Sequence, residues 1–212
     1  SGFATSERLD RGVANLIAQD FKVKVHPQCL LRDYGSGGTT QDKITALHAL
    51  FVDPSIDAIW ASRGGSRAMH MLDGIDYALV RANPKLLIGF SDTTALASAL
   101  YARSNLSTVH GPHIVYFGFD DSRVTTQTTI SFLMGDWQNY GWPLDYPIKI
   151  LRTGEVEGEL FGGNMQTLMA LLPAGQSYVP DLQGKILIVE DVAEEKRSLD
   201  RMFGALRLAG VF

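Results

Sequence analysis

The stretch 84-PKLLIGFSDTTALASALY-101 decides how the chain is read. Lys85 to Gly89 is apolar and short, the pattern of a buried strand, and Thr93 to Tyr101 has the composition of a helix. Gly89-Phe90-Ser91-Asp92-Thr93 must therefore turn one into the other. A strand that breaks on a serine and runs straight into a helix is the setting of a nucleophile elbow, where strain lifts the hydroxyl clear of the sheet and the helix N-terminus favours developing negative charge. The competing reading is an N-cap, with the Ser91 hydroxyl accepting the amide of Thr93 or Thr94. Thr93 stands where the second glycine of G-x-S-x-G would fall, so the stretch by itself favours the cap.

On either side the same rhythm repeats. Ile56 to Ala61 reads as a strand followed by Arg63-Gly64-Gly65-Ser66 and a helix over Ser66 to Leu72, with His70 packed or exposed within it. Ser107 to Val109 is a further strand, ending at His110-Gly111-Pro112-His113, and Thr125 to Met134 a further helix. Strands alternating with helices predict a parallel sheet with ligand chemistry at the carboxyl ends of its strands. Gly64-Gly65, Ser91 and His110 would share that edge. The glycine pair either presents bare amides to an oxyanion or simply turns the chain.

Upstream, Leu9, Val13, Leu16 and Ile17 recur at helical spacing behind Thr5 and Ser6. Lys22 to His26 alternates like an edge strand, and Asp33 to Gly38 reads as a flexible loop that lacks the P-loop lysine. Thr40 caps a helix carrying Ile44, Leu47, His48 and Phe51 that stops at Asp53-Pro54; His48 is expected at its surface rather than as a ligand.

Downstream, Gly135 to Pro147 reads as a linker. Its Trp137, Tyr140, Trp142 and Tyr146 are expected to pack a domain junction, with a groove lining as the alternative. Ile148 to Ile150 and Gly154 to Leu160 alternate as strands of a partly antiparallel unit. Phe161-Gly162-Gly163-Asn164 is expected to open a helix through Leu172, and Ile186 to Val189 to form a buried strand ending on Glu190-Asp191. A last helix carries Leu199, Met202, Phe203 and Leu206 and ends at Gly210.

Composition excludes several classes. The 212 residues, 45% of them hydrophobic, suffice for one large domain or two small ones. A net charge of -4 leaves no basic stripe for nucleic acid or an anionic membrane. One cysteine, Cys29, precludes an internal disulfide framework, and without CxxC or HExxH no metal is implied. No apolar run of 18 residues and no leader pattern is present, so a cytoplasmic location is the expectation.

Taken in order, Arg63-Gly64-Gly65, Leu72-Asp73-Gly74-Ile75-Asp76-Tyr77, Asn83-Pro84-Lys85, Gly89-Phe90-Ser91-Asp92-Thr93-Thr94-Ala95-Leu96, His110-Gly111-Pro112, Gly162-Gly163-Asn164 and Val189-Glu190-Asp191 resemble the LD-carboxypeptidases. These are serine peptidases of bacterial cell-wall recycling, to which the microcin C self-immunity hydrolases are related. The resemblance runs from about Phe51 to Phe212 and favours the nucleophile reading of Ser91. It implies an α/β fold with a doubly wound, mostly parallel N-terminal domain over 1–135, a linker over 136–147 and a smaller α/β domain over 148–212. It also implies a Ser-His-Glu triad, with Ser91 attacking an amide carbonyl and Glu190 orienting the histidine.

Backbone amides of Gly65 and Asp92 would form the oxyanion hole, and Gly64, Ser66, His110 and Asn164 would border the substrate. The implied substrate is a murein L,D-tetrapeptide that loses its terminal D-alanine; the implied assembly is a homodimer with no cofactor. The alternatives are a microcin-type peptidyl- or aminoacyl-nucleotide hydrolase, or a non-catalytic peptide- or nucleotide-binding homologue. The family's histidine follows the segment matching Glu190, whereas no histidine follows His113 here, and Ser66-Arg67 replaces the usual tyrosine-glycine. The family's first strand, which precedes the segment matching Ser1-Gly2, also has no counterpart here. The expectation is an incomplete record of a longer protein, cut at both ends.

Overall fold

Three short apolar segments, β1 (Ala58–Trp60), β2 (Leu86–Ile88) and β3 (Thr108–Val109), pair in parallel in the order β1-β2-β3. They belong to a computed structural model that describes residues 2–117, 123–136 and 147–211. Helices α1 (Ser6–Ile17) and α2 (Thr40–Val52) precede the sheet; α3 (Tyr77–Ala82) lies between β1 and β2, and α4 (Thr93–Ser104) between β2 and β3. After α5 (Arg123–Leu133), a second unit runs β4 (Leu160–Asn164), α6 (Met165–Leu171), β5 (Ile186–Glu190) and α7 (Lys196–Leu208).

Both faces of the first sheet are covered, and period-2 geometry explains how. Ile59 packs into a large core with Phe51, Val80, Leu87, Ala99 and Leu100, while its neighbour Trp60 packs with Leu9, Leu16 and Phe117 on the other side. The large core also holds Phe161 of β4 and Leu168 and Leu171 of α6, so α4 packs against both sheets. The Asn164 amide donates to Thr94 Oγ1 at 3.0 Å, fixing the end of β4 against the first turn of α4. No helix among the described residues is long and apolar enough to cross a membrane.

The fold is α/β with parallel sheets, as the strand–helix rhythm indicates, but several local expectations are corrected. Lys22 to His26 forms no strand: its alternation finds no paired neighbour among the described residues. Asp33 to Gly38 is a closed turn rather than a loose loop, since Asp33 and Ser36 exchange two backbone hydrogen bonds and buried Lys43 donates to Ser36 Oγ at 2.8 Å. The cap of α2 is Thr39 rather than Thr40, in a reciprocal capping box with Asp42.

The helix expected over Ser66 to Leu72 is instead a 3-10 turn over Met69–Gly74. Its would-be first amides, of Arg67 and Ala68, are taken by Asp92. Ile148 to Ile150 and Gly154 to Glu159 are exposed and not strands, and β4 pairs with β5 in parallel, not antiparallel. The aromatic residues of 137–146 lie outside the described residues.

Phe161 to Asn164 belongs to strand β4, and the helix expected to open there, α6, begins at Met165 behind its cap Asn164, whose Oδ1 accepts the Thr167 amide at 3.0 Å. The glycine pair misleads because it serves the strand. Gly162 and Gly163 have φ of 153° and 134°, conformations that L side chains rarely adopt. A Cβ on Gly162 would stand 1.6 Å from the Ile188 carbonyl oxygen across the β4–β5 pair. Gly162→Ala is therefore expected to destabilise the intact protein by at least about 2 kcal/mol, read as a fall in thermal midpoint.

Candidate active site

The turn after β2 is built on strain. Ser91 has φ of 56°, a left-handed conformation costing a non-glycine residue on the order of 1–2 kcal/mol. Phe90 and Ser91 carbonyls accept the Thr93 and Thr94 amides at 3.1 and 2.9 Å, so the chain enters α4 at once. Gly89 allows this closeness: a Cβ there would lie 2.8 Å from Thr93 Cγ2 and 3.0 Å from Ala61 Cβ. The cap position falls on Asp92, not Ser91, and Asp92 makes no side-chain cap bond. Its buried Oδ2 accepts the Arg67 and Ala68 amides instead, both at 3.0 Å, lashing the loop after β1 to the turn after β2.

Gly64 meets Ser91 directly. A Cβ on Gly64 would stand 3.1 Å from Ser91 Oγ and 2.9 Å from His113 Cε1. The Gly64 amide donates to His113 Nδ1 at 3.0 Å, and its carbonyl accepts from the Gly2 amide at 2.6 Å. Gly64 is buried, Gly65 and Ser66 are exposed beside it, and Ser91 is half-buried.

From the second sheet, Glu190 ends β5 in register with Asn164. His110 Nε2 lies 3.6 Å from Glu190 Oε1, beyond hydrogen-bond range. Burial holds His110 below the usual histidine range and raises the Glu190 carboxyl, to which Asp191 adds while Asn164 opposes. Glu190 Oε1 is buried and has no hydrogen-bond partner among the described residues. A buried acceptor of this kind is normally met by a donor.

Gly64, Ser91, His110 and Glu190 thus gather around the carboxyl ends of the strands. Asn164 sits with Glu190, but its side-chain oxygen caps α6. His48 is structural, Nε2 accepting the Asp76 amide at 2.9 Å, and His70 is exposed. No group of three metal-ligating side chains occurs among the described residues. Sequence reasoning missed the Asp92 carboxylate, Thr94 and His113. In the sequence His113 is only a second histidine three positions beyond His110, in the loop that follows β3.

The whole is a mixed α/β protein of parallel sheets, with a strained serine and a half-buried carboxylate at their carboxyl ends. Residues 1–111 match the LD-carboxypeptidase N-terminal domain and residues 157–212 the LD-carboxypeptidase C-terminal domain. The chain belongs to the LD-carboxypeptidase family. It is 34% identical over 175 residues to a probable murein peptide carboxypeptidase of Bacillus subtilis, covering 82% of this chain and 54% of that protein. The chain thus spans about half that relative's length. Among solved structures, a muramoyltetrapeptide carboxypeptidase from Oxalobacter formigenes matches with a TM-score of 0.84 at 25% identity, covering 99% of this chain and 69% of the other. A mutant of the microcin C7 self-immunity protein MccF in complex with adenosine monophosphate matches with a TM-score of 0.83 at 30% identity, covering 97% and 69%.

Proposed function

We propose that this chain carries the nucleophile and the acid of a serine-type LD-carboxypeptidase that releases terminal D-alanine from a murein tetrapeptide. The observation that carries this reading is the meeting of Ser91 Oγ, on its left-handed turn, with the backbone at Gly64. Ser91 Oγ attacks the scissile carbonyl carbon while its proton passes to a histidine; the new oxyanion is held by the Gly65 and Asp92 amides. Collapse breaks the C–N bond and returns the proton to the departing D-alanine amine, and water then hydrolyses the acyl-enzyme.

Glu190 Oε1 orients the histidine. His110 is assigned to the substrate side, because 3.6 Å is too long for the acid–base hydrogen bond of a triad. The third member is then a histidine from outside these 212 residues. A nucleophile unit over 1–135, a linker over 136–147 and a smaller unit over 148–212, working as a cytoplasmic homodimer, complete the reading. The likeness to MccF in complex with adenosine monophosphate favours a second substrate class, a peptidyl or aminoacyl nucleotide. The two are separated by giving the intact protein each substrate and measuring free D-alanine and free nucleotide. D-alanine release without nucleotide release is expected; the reverse would replace the first reading by the second.

A further inference from the structure

His113 is the most deeply buried titratable side chain beside Ser91, 1% exposed, and the mechanism above gives it no part. Its ring joins three elements. Nδ1 accepts the Gly64 amide at 3.0 Å, Nε2 lies 3.1 Å from Thr93 Oγ1 and 3.4 Å from the Phe90 amide, and the Phe90 ring sits 4.4 Å away, centroid to centroid. The loop after β1, the serine turn and the first residue of α4 are thereby tied to one imidazole.

The ties have a direction. A neutral imidazole has one lone-pair nitrogen, and the shorter contact gives it to the Gly64 amide; Nε2 then carries the proton and donates to Thr93 Oγ1. With its N–H spent on His113, Gly64 has none to offer an oxyanion. The peptide that follows is fixed from its other end. The Gly64 carbonyl is held by the Gly2 amide at 2.6 Å, and planarity makes the Gly65 N–H point the opposite way from that carbonyl. Two hydrogen bonds thus set both peptide planes flanking Gly64, one of them made by His113.

We propose that His113 is a positioning residue for the Ser91 site: by accepting the Gly64 amide and gripping Thr93 it fixes the Gly65 amide as the oxyanion donor and holds Ser91 opposite it. The inference rests on the serine-peptidase reading above, but its core is a statement about one ring and one amide. An imidazolium cannot accept from the Gly64 amide, so the ring must stay neutral. Burial drives its pKa well below the usual histidine range, so it is neutral across the working range.

The test uses the intact protein with His113→Leu, which fills the space without an acceptor, and His113→Gln, whose amide can accept from Gly64 and donate to Thr93. His113→Leu is expected to lower kcat for D-alanine release about 100-fold with KM nearly unchanged, and to slow labelling of Ser91 by a fluorophosphonate; His113→Gln is expected to recover at least a tenth of the loss. Nitrogen-15 NMR of the wild-type ring should show Nδ1 unprotonated and no titration between about pH 5 and 8, with the Gly64 amide resonance displaced in His113→Leu.

A ring that titrates near pH 6.5, or a folded His113→Leu protein with undiminished kcat and labelling, would overturn the proposal. Failure of the wild-type protein to release D-alanine would count against the serine-peptidase reading alone. The ring tautomer and the Gly64 resonance would still decide whether His113 holds that amide.

Discussion

Ser91→Ala is expected to cut D-alanine release by the intact protein on the order of a million-fold, to the level left by binding and the oxyanion donors alone. The argument is specific to this residue because alanine keeps everything except the oxygen. Alanine and serine bear the same Cβ penalty at φ of 56°, so the turn is as strained in the variant as in the parent. The backbone bonds from the Thr93 and Thr94 amides do not involve the side chain. Thermal stability should therefore stay within about 0.5 kcal/mol, and fluorophosphonate labelling should vanish. A catalytic loss with an unchanged melt assigns the nucleophile. Undiminished turnover in Ser91→Ala would remove the serine-peptidase reading altogether, whatever the family resemblance.

How much of this was legible in the sequence depends on what each residue type encodes. Alternating strands and helices were readable because apolar runs and helical spacing are local properties, and Ser91 was readable as a turn because Gly89 and the start of α4 bracket it. Its choice between cap and nucleophile was not local. What bears on it is Gly64, 27 positions earlier in sequence, and Asp92, whose side chain bonds backward to Arg67 and Ala68 rather than forward into α4. The same long-range bond erased the helix expected after Ser66.

Gly162-Gly163 shows the opposite failure. The pair reads as the opening of a helix, yet here it is a strand pressed between the Ile188 backbone and Thr94, a requirement that only the folded neighbours state. His113 was unreadable for a related reason. Its role lies in meeting the Gly64 amide across 49 positions, and nothing in the pattern His-Gly-Pro-His says which histidine turns inward.

Glu190→Gln separates function from stability. Its Oε1 is buried without a hydrogen-bond partner among the described residues, and burial with Asp191 nearby raises its carboxyl above the ordinary range. A group whose pKa is higher folded than unfolded favours the fold below its unfolded value and loses that contribution as pH rises through the folded value. Where no histidine donor meets Oε1, the ionised Glu190 is therefore a liability to the fold at neutral pH, and a neutral amide of the same shape should raise the thermal midpoint.

Catalysis should move the other way. A carboxylate can only accept, so it fixes the facing imidazole nitrogen as the donor; glutamine can turn its NH2 toward the same nitrogen and select the wrong tautomer. A loss of about 10,000-fold in kcat is expected for Glu190→Gln. The acid limb of the wild-type pH–rate profile should be lost in Glu190→Gln, since activity needs the ionised carboxylate. A variant that melts lower and retains its rate would make Glu190 a structural acid, and the carboxylate of the triad would have to be sought elsewhere.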